Sequence, residues 1–299
     1  MCRMTFYLGA PICLADLVTR PENSLIHQSV KAKERLEPLN GDGFGVAWYV
    51  KGLSQAARFR SLTPAWSNAN LDELARVTQS HCLLAHVRAA TDGTFDVAEA
   101  NCHPFRKGRY AFMHNGHIEQ FPKLRRALMA RLSHPAFNSI RGNTDSEHLF
   151  ALVSDFLPPE ASGHVDDLIR ALRLGIAALH ELIDQHAPNA RVFLNVILTD
   201  GHCAAVCRYS SDPTRIDSLY INRGERYGCH EQRCWMDSGE NDAVKAVLVS
   251  SEPLNSGPNW QPVPPNHLLG IDSDLRVCSQ IIEQPRIDRP ADSVEGNEP

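Results

Sequence analysis

The chain has 299 residues, of which 43% are hydrophobic and 22% are charged, proportions that are ordinary for a soluble globular protein. Its net charge of −5 gives no reason to expect binding to nucleic acid. No apolar run approaches the length of a membrane span, and the N-terminus lacks the basic and apolar regions of a secretory signal.

The first part of the chain predicts short strands separated by turns. A helix is expected from Leu71 to Gln79, with Asn70 as its cap. The triplet His114-Asn115-Gly116 is expected to end the last strand of this part. The apolar runs that predict strands are Thr5–Leu8, Val46–Val50, Cys82–Arg88 and Tyr110–Met113.

The middle of the chain predicts helices. Pro122 suits the first turn of a helix, and the leucines that follow it recur at helical spacing. Thr144 and Glu147 have the spacing of a capping box before a helix expected at His148–Phe156. A long amphipathic helix is expected at Asp166–His186.

The last part returns to strands, and Asp200-Gly201 is a strong hairpin signal between the first two. The order of strands, helices and strands predicts an α+β fold in which two sheets pack together with helices outside. We expect one domain over residues 1–283 and a disordered, polar tail over residues 284–299. The strands expected here are Val192–Leu198, Cys203–Tyr209, Ser218–Asn222, Val244–Ser250, His267–Ile271 and Val277–Ile281.

The second residue is a cysteine, so removal of Met1 would leave Cys2 with a thiol and a free α-amine. In model peptides an α-amine titrates at about pH 8 and a cysteine thiol at about 8.5, both close to working pH. An N-terminal amine is one of the groups that activate a weak side-chain nucleophile. A cysteine at this position is most often incidental, so the argument depends on the motifs that follow.

Four further segments carry possible chemistry. The amide of Asn115 and the N–H of Gly116 are the donors that an oxyanion hole needs, although the triplet also suits a simple turn. Arg88 ends an apolar strand, where it suits either a surface salt bridge or the binding of a carboxylate. Asp145 stands in the first turn of a helix, where it suits either the helix dipole or an ammonium group. The glycine-rich turn at residues 41–45 is a poor phosphate loop, because no Lys and Ser/Thr pair follows it.

A Cys nucleophile, two oxyanion donors, an Arg and an Asp together fit the head of glutamine or of another γ-glutamyl compound. The sequence resembles the class II glutamine amidotransferases, members of the N-terminal nucleophile hydrolases, from Met1 to about Gln280. The matching stretches occur in the family's order. They are Met1–Arg3, Asn40–Tyr49, His86–Thr91, His114–Gly116 and Asn143–Glu147.

The resemblance implies an enzyme with a four-layer αββα sandwich, and no cofactor is expected. It implies that Cys2 is the nucleophile, that its α-amine is the general base, and that Asn115 and Gly116 form the oxyanion hole. The substrate-binding residues that it implies are Arg88 and Thr91 for the α-carboxylate and Asp145 for the α-amine.

The closer likeness is to the stand-alone branch of the family. This branch includes a fungal subunit of a glutathione-degrading complex and a bacterial hydrolase of ergothioneine synthesis. Ala89 is a departure from the relatives attached to sugar-phosphate synthases, which carry Trp after the Arg, and it should alter one wall of the pocket. The segments that carry this likeness are Thr19–Ser24, Asn40–Tyr49, Thr63–Trp66, Asn101–Phe105 and Ser250–Leu254.

Four functions remain open at this point. The first is hydrolysis of a γ-glutamyl amide through a thioester on Cys2, with release of glutamate. The second is a glutaminase subunit that delivers ammonia to a separate synthase partner. The third is a non-catalytic subunit that binds a partner protein. For the enzymatic functions, a small γ-glutamyl substrate and a separate peptidase-like or synthase subunit are the expected partners, with neither nucleic acid nor a membrane among them.

The fourth function is metal binding or redox chemistry, which the cysteines invite. The chain has nine cysteines, an odd number without paired spacing, which predicts free thiols in a reducing cytoplasm. Their spacings differ from the usual Cys-x-x-Cys of zinc sites, so no metal is expected. The residues in question are Cys203 and Cys207 beside His202, and Cys229 and Cys234 beside His230.

Overall fold

Strands predominate at the two ends of the chain and the three longest of the described helices lie in its middle, in the order that the sequence predicts. The computed structural model describes residues 2–34, 39–89, 97–239 and 244–283. The strands are Arg3–Cys13 (β1), Phe44–Trp48 (β2), Ala57–Ser61 (β3), Gln79–Val87 (β4), Phe105–Lys107 (β5), Tyr110–Ile118 (β6), Val192–Thr199 (β7), Ala204–Ser210 (β8), Tyr220–Gly224 (β9), Arg226–His230 (β10), Arg233–Asp237 (β11), Ala246–Ser250 (β12), Gln261–Pro262 (β13), His267–Ile271 (β14) and Val277–Ile281 (β15).

The helices lie between and beside these strands. They are Ala15–Val18 (α1), Leu25–Lys31 (α2), Ala69–Val77 (α3), Phe121–Arg131 (α4), His134–Phe137 (α5), Asp145–Ser154 (α6) and Val165–His186 (α7). No helix within the described residues is both long enough and apolar enough to cross a membrane.

The strands form two large antiparallel sheets and a separate hairpin. The first sheet has the order β13-β9-β12-β1-β4-β2-β3, and the second has the order β15-β14-β8-β7-β6-β5. Strands β10 and β11 pair only with each other among the described strands. The first strand of the chain therefore lies inside a sheet, between β12 and β4, and the residue before it lies beside the end of β4.

Apolar residues cover both faces of each sheet. Successive side chains of a strand point to opposite sides, so each strand contributes to two cores. On β1, Phe6 joins the core between the sheets, while Tyr7 joins the core beneath α1–α3. On β6, Met113 joins the central core, while Phe112 joins the core beneath α4, α6 and α7. Three stacked cores make four layers, which confirms the predicted αββα sandwich.

Some predicted boundaries are wrong. Strand β6 continues through His114–Gly116 to Ile118, because this segment stays paired with β7 where a turn was expected. Helix α3 is capped by Asn68, whose Oδ1 accepts a hydrogen bond from the backbone N–H of Leu71 at 2.9 Å; Asn70 lies inside the helix. Helix α6 begins at Asp145, three residues before the predicted start.

The prediction that all cysteines are free thiols is wrong for one pair. Cys229 and Cys234 stand directly opposite each other on the β10–β11 hairpin, with Cα atoms 4.0 Å apart, and form a disulfide. The disulfide was not predicted from the sequence because the hairpin that brings the two cysteines together was not predicted. The other seven cysteines have free thiols.

The predicted tail at residues 284–299 lies outside the described residues, and the single domain over residues 1–283 stays a prediction.

Helix α7 approaches α6 closely at Gly175. A Cβ atom at this position would lie 2.6 Å from Cγ2 of Val153 and 3.2 Å from its Cα. We therefore expect Gly175→Ala to destabilise the protein by about 1–2 kcal/mol, since overpacking outweighs the gain of about 0.5–1 kcal/mol that alanine brings to a helix. The measurement is the urea midpoint at unchanged m-value.

The matched control is Gly228→Ala, where the nearest heavy atom to the new Cβ would be 3.7 Å away, on the ring of Trp235. Its midpoint should stay close to that of the wild type. A rise in stability for Gly175→Ala would mean that the helices are less tightly packed than described.

Candidate active site

The position of Cys2 follows from the register of the first sheet. Arg3 pairs with Val87 across β1 and β4, so Cys2 comes beside Arg88, just beyond the end of β4. The half-buried thiol of Cys2 lies 3.7 Å from the carbonyl oxygen of Ala89. Backbone pairing alone thus brings Cys2 and Arg88 to one corner of the sheet.

A buried ion pair holds Arg3, the residue after Cys2. Nε of Arg3 donates to Oε1 of Glu252 at 2.9 Å, and the two side chains are 2% and 1% exposed. Nη2 is also 2.9 Å from Oε1, at an angle outside hydrogen-bond geometry. Burial lowers the pKa of Arg3, and Glu252 opposes that shift. The guanidinium also donates to the carbonyl of Cys2 at 3.1 Å, so the pair fixes the peptide next to the thiol.

Glu252 is held in turn by backbone donors. Its Oε2 accepts from the N–H of Lys33 at 2.9 Å, and its Oε1 accepts from the N–H of Glu34 at 3.2 Å. A buried carboxylate needs such donors together with its cation, because isolated buried charges are costly. Sequence reasoning gave neither Arg3 nor Glu252 a role, since 249 positions separate them. Only the family likeness at Ser250–Leu254 pointed to this segment.

The two predicted oxyanion residues lie on β6, in the second sheet. Asn115 is 1% exposed, and its Nδ2 donates to Oγ of Ser251 at 3.4 Å. Ser251 Oγ also accepts from the N–H of Met4 on β1 at 3.0 Å, so this hydroxyl connects the two sheets. A Cβ at Gly116 would lie 1.9 Å from the carbonyl oxygen of Phe193, which leaves room only for glycine.

Arg88 is buried at the end of β4 and is held by the turn at residues 41–43. Its N–H donates to the carbonyl of Gly43 at 2.8 Å, and its carbonyl accepts from the N–H of Asp42 at 3.0 Å. One Nη also donates to the Asp42 carbonyl at 3.4 Å. At Gly43, with φ +104°, a Cβ would meet the thiol of Cys102 at 2.8 Å, so this turn requires glycine. The glycine-rich segment is thus a support for Arg88.

Asp145 is the first residue of α6 and is hydrogen-bonded to β6. Its Oδ2 accepts from the N–H of Ile118 on β6 at 2.9 Å, and its Oδ1 accepts from the N–H of Ser146 at 2.7 Å. Thr144 caps the helix through the N–H of Glu147 at 3.2 Å, as the capping box predicts. Asp145 is therefore not the cap residue. Oδ1 also accepts from Oγ of Ser146 at 3.2 Å, whereas Oδ2 has one partner among the described residues and can accept a second hydrogen bond from an ammonium group.

Three buried histidines that the sequence did not single out as site residues lie next to these residues. His114 contacts Oγ of Ser146 at 2.9 Å through Nδ1 and the Phe193 carbonyl at 3.1 Å through Nε2. His86 contacts the His114 carbonyl at 3.2 Å and stacks on His103, with ring centroids 4.1 Å apart. Burial lowers the pKa of His86 to about 3 and also lowers those of His103 and His114. His114 lies on β6, His86 contacts its backbone and His103 stacks on His86, so neutral rings support this strand.

Thr91 lies outside the described residues, so its predicted role stays a prediction.

The cysteines behind the metal hypothesis are engaged elsewhere. Cys229 and Cys234 are bonded to each other, and burial raises the pKa of the Cys203 thiol to about 12. Cys207 is fully buried in the core beneath α7. Within residues 2–34, 39–89, 97–239 and 244–283, no group of three or more His, Cys, Asp or Glu side chains has the arrangement of a metal site.

Comparison with known proteins gives consistent relatives. The chain is 35% identical over 308 residues to the probable glutamine amidotransferase DUG3 of Saccharomyces cerevisiae, covering 95% of this chain and 85% of the yeast protein. It is 29% identical to the gamma-glutamyl-hercynylcysteine sulfoxide hydrolase of Mycolicibacterium smegmatis, covering 91% of this chain and 96% of that protein.

A solved structure agrees with these relatives. The glutamine aminotransferase class-II domain protein from Silicibacter pomeroyi superimposes with a TM-score of 0.64 at 27% identity, covering 95% of this chain and all of that one. The family described as glutamine amidotransferases class-II matches residues 22–290. This chain belongs to the class II glutamine amidotransferases.

Proposed function

We propose that this protein hydrolyses the γ-glutamyl amide bond of a small γ-glutamyl compound through a thioester on Cys2. The observation that carries the proposal is the register of β1 and β4, which sets Cys2 beside the buried Arg88, with the Cys2 thiol 3.7 Å from the carbonyl oxygen of Ala89. The yeast relative is named as a glutamine amidotransferase and the mycobacterial relative as a γ-glutamyl hydrolase. Both names are consistent with a substrate that carries a γ-glutamyl head.

The reaction begins with attack by sulfur on the γ-carbonyl carbon. After removal of Met1, the α-amine of Cys2 takes the thiol proton, and a carbon–sulfur bond forms as the carbonyl π bond opens. The Asn115 amide and the Gly116 N–H are proposed to stabilise the resulting oxyanion. Collapse of the intermediate breaks the carbon–nitrogen bond, and the proton held by the α-amine passes to the leaving amine.

Water completes the cycle. The α-amine takes a proton from a water molecule, whose oxygen attacks the thioester carbon to form a second oxyanion at the same donors. The carbon–sulfur bond then breaks, the thiol is restored and glutamate leaves. One water molecule is consumed for each amide bond that is broken.

Recognition of the substrate is assigned to its glutamyl head. The fork of Arg88 suits the α-carboxylate, because a guanidinium binds a carboxylate through two parallel hydrogen bonds. Thr91 is proposed to assist it, and Asp145 is proposed to pair with the α-ammonium. These groups are common to every γ-glutamyl compound, so they select the head and leave the identity of the leaving group open.

The experiment that tests the function is a hydrolysis panel of glutamine, glutathione and a γ-glutamyl-cysteine derivative, scored by glutamate release. The panel is run with and without a candidate peptidase-like or synthase subunit, because a separate partner is also proposed. Hydrolysis by the chain alone supports the enzyme activity. Ammonia transfer that depends on a synthase would favour the glutaminase-subunit function, and failure to release glutamate from every substrate would contradict the proposal.

We expect Cys2→Ser to lose at least about 10³-fold in kcat, because a hydroxyl is a far weaker nucleophile than a thiol beside an amine. The control is Cys278→Ser, which changes an exposed thiol and should leave activity intact. An electrophilic glutamine analogue should add to Cys2, and active protein should lack the mass of Met1. Labelling of another cysteine, or full activity in a sample that retains Met1, would disprove the mechanism.

We expect Asn115→Ala to lower kcat by about 10²–10³-fold with little change in KM, because its amide would meet a charge that exists only in the tetrahedral intermediate. Steady-state kinetics on the best panel substrate measure both constants. An increase in KM at constant kcat would instead mean that Asn115 binds the ground state.

We expect Asp145→Asn to lose selectivity for the α-ammonium. Leaving that charge unpaired costs roughly 2–5 kcal/mol for a buried pair. The measurement compares kcat/KM on glutamine and on its analogue without the α-amine. Wild type should reject the analogue, whereas Asp145→Asn should treat the two substrates nearly alike; equal discrimination by both proteins would reduce Asp145 to a structural residue of the helix start.

A further inference from the structure

Ser251 lies between β1, which follows Cys2, and β6, which carries Asn115. It follows the last residue of β12 and is fully buried. Its Oγ accepts hydrogen bonds from the N–H of Met4 at 3.0 Å and from Nδ2 of Asn115 at 3.4 Å. Its backbone N–H donates to the Met4 carbonyl at 2.9 Å, and its carbonyl accepts from Oγ of Ser218 at 2.8 Å. Backbone and neighbours thus fix the hydroxyl in place.

This contact determines how the amide of Asn115 is presented. A serine oxygen has two lone pairs, and here one faces Met4 and the other faces Asn115. A side-chain amide nitrogen carries two hydrogens, so the bond to Ser251 engages one and leaves the other for a further acceptor. Among the described residues, the buried Oδ1 of Asn115 has no hydrogen-bond partner. The hydrogen bond to Ser251 therefore fixes the orientation of the Asn115 amide.

We propose that Ser251 is a positioning residue, which aims the free N–H of Asn115 at the oxyanion and sets its distance from the Cys2 strand. The inference rests on the proposed function, since an oxyanion forms only if the chain performs acyl transfer. Ser251 itself touches no reacting atom. Its effect on the rate should pass entirely through Asn115.

The neighbouring Ser250 provides a matched control. It is equally buried, and its Oγ makes one long contact of 3.5 Å with the Met4 carbonyl, which already accepts the Ser251 N–H. Ser250→Ala removes the same hydroxyl group at the same end of β12 and leaves the hydrogen bond between Asn115 and Ser251 unchanged. We expect Ser251→Ala to lower kcat about 10–100-fold with KM within about twofold of wild type, and Ser250→Ala to stay near wild type in both constants.

A double-mutant cycle separates positioning from a general loss of structure. In an Asn115→Ala background, Ser251→Ala should cause no further loss of kcat, because the group that it orients is already gone. Ser251→Cys provides a second variant that nearly preserves the size of the side chain while replacing the hydroxyl with a weak acceptor, and it should show the same selective loss. Thermal unfolding of each variant is measured in parallel.

The outcomes are distinct. The positioning role is overturned if Ser251→Ala lowers kcat by the same factor in the wild-type and Asn115→Ala backgrounds. It is also overturned if Ser251→Ala raises KM without lowering kcat, or if its kinetic constants equal those of Ser250→Ala. If Ser251→Ala fails to fold, full activity of Ser251→Cys overturns the proposal, whereas a kcat loss in Ser251→Cys supports it. Wild-type protein that releases no glutamate from any γ-glutamyl amide overturns the proposed function and this role together.

Discussion

The buried ion pair between Arg3 and Glu252 is the interaction on which the candidate site depends. A chain terminus is normally the part of a protein that frays most easily, yet the proposed nucleophile is the second residue. Arg3 sits in an interior strand, is paired with a carboxylate 249 positions away, and donates to the carbonyl of Cys2. Loss of one partner would leave the other charged and buried, at a cost of about 3–5 kcal/mol. The segment at Cys2 and Arg3 is therefore held by a buried ion pair within a sheet.

The rest of the candidate site depends on contacts between side chains of the two sheets. Facing sheets lie about 10 Å apart, a gap that side chains must fill. Polar contacts bridge it at one end, where Ser251 joins Met4 of the first sheet to Asn115 of the second. Elsewhere the gap is filled by residues such as Phe6 and Met113. The proposed catalytic groups thus lie beside these polar contacts, at the margin of a largely apolar core.

Local patterns predicted much of this fold. The limits of β14 and β15 agree with the apolar runs at His267–Ile271 and Val277–Ile281, and α7 agrees within one residue, because its 22 positions carry a continuous amphipathic pattern. The predictions failed where pairing overrides local preference. The triplet at residues 114–116 is a good turn sequence, but β7 holds it as a strand.

Long-range pairing also explains what the site analysis missed. Cys2, Arg88, Asn115 and Asp145 were identified because their residue types match a chemistry and a family pattern. Glu252 and Ser251 act through partners that are distant in the sequence, and no spacing rule links Ser251 to Met4 or Glu252 to Arg3. The Cys229–Cys234 disulfide was missed for another reason: its cysteines are only five positions apart, but they face each other only in a hairpin that was not predicted.

The bond from Ile118 to Asp145 has a consequence for how such a site can diversify. The same strand carries Asn115 and Gly116, so the carboxylate proposed to hold the α-ammonium and the donors proposed for the oxyanion share one rigid support. A mutation that reshapes one therefore disturbs the other. Under this constraint, lineages derived from such a scaffold are expected to retain the glutamyl half of the substrate and to acquire new reactions by remodelling the surface that meets the leaving group.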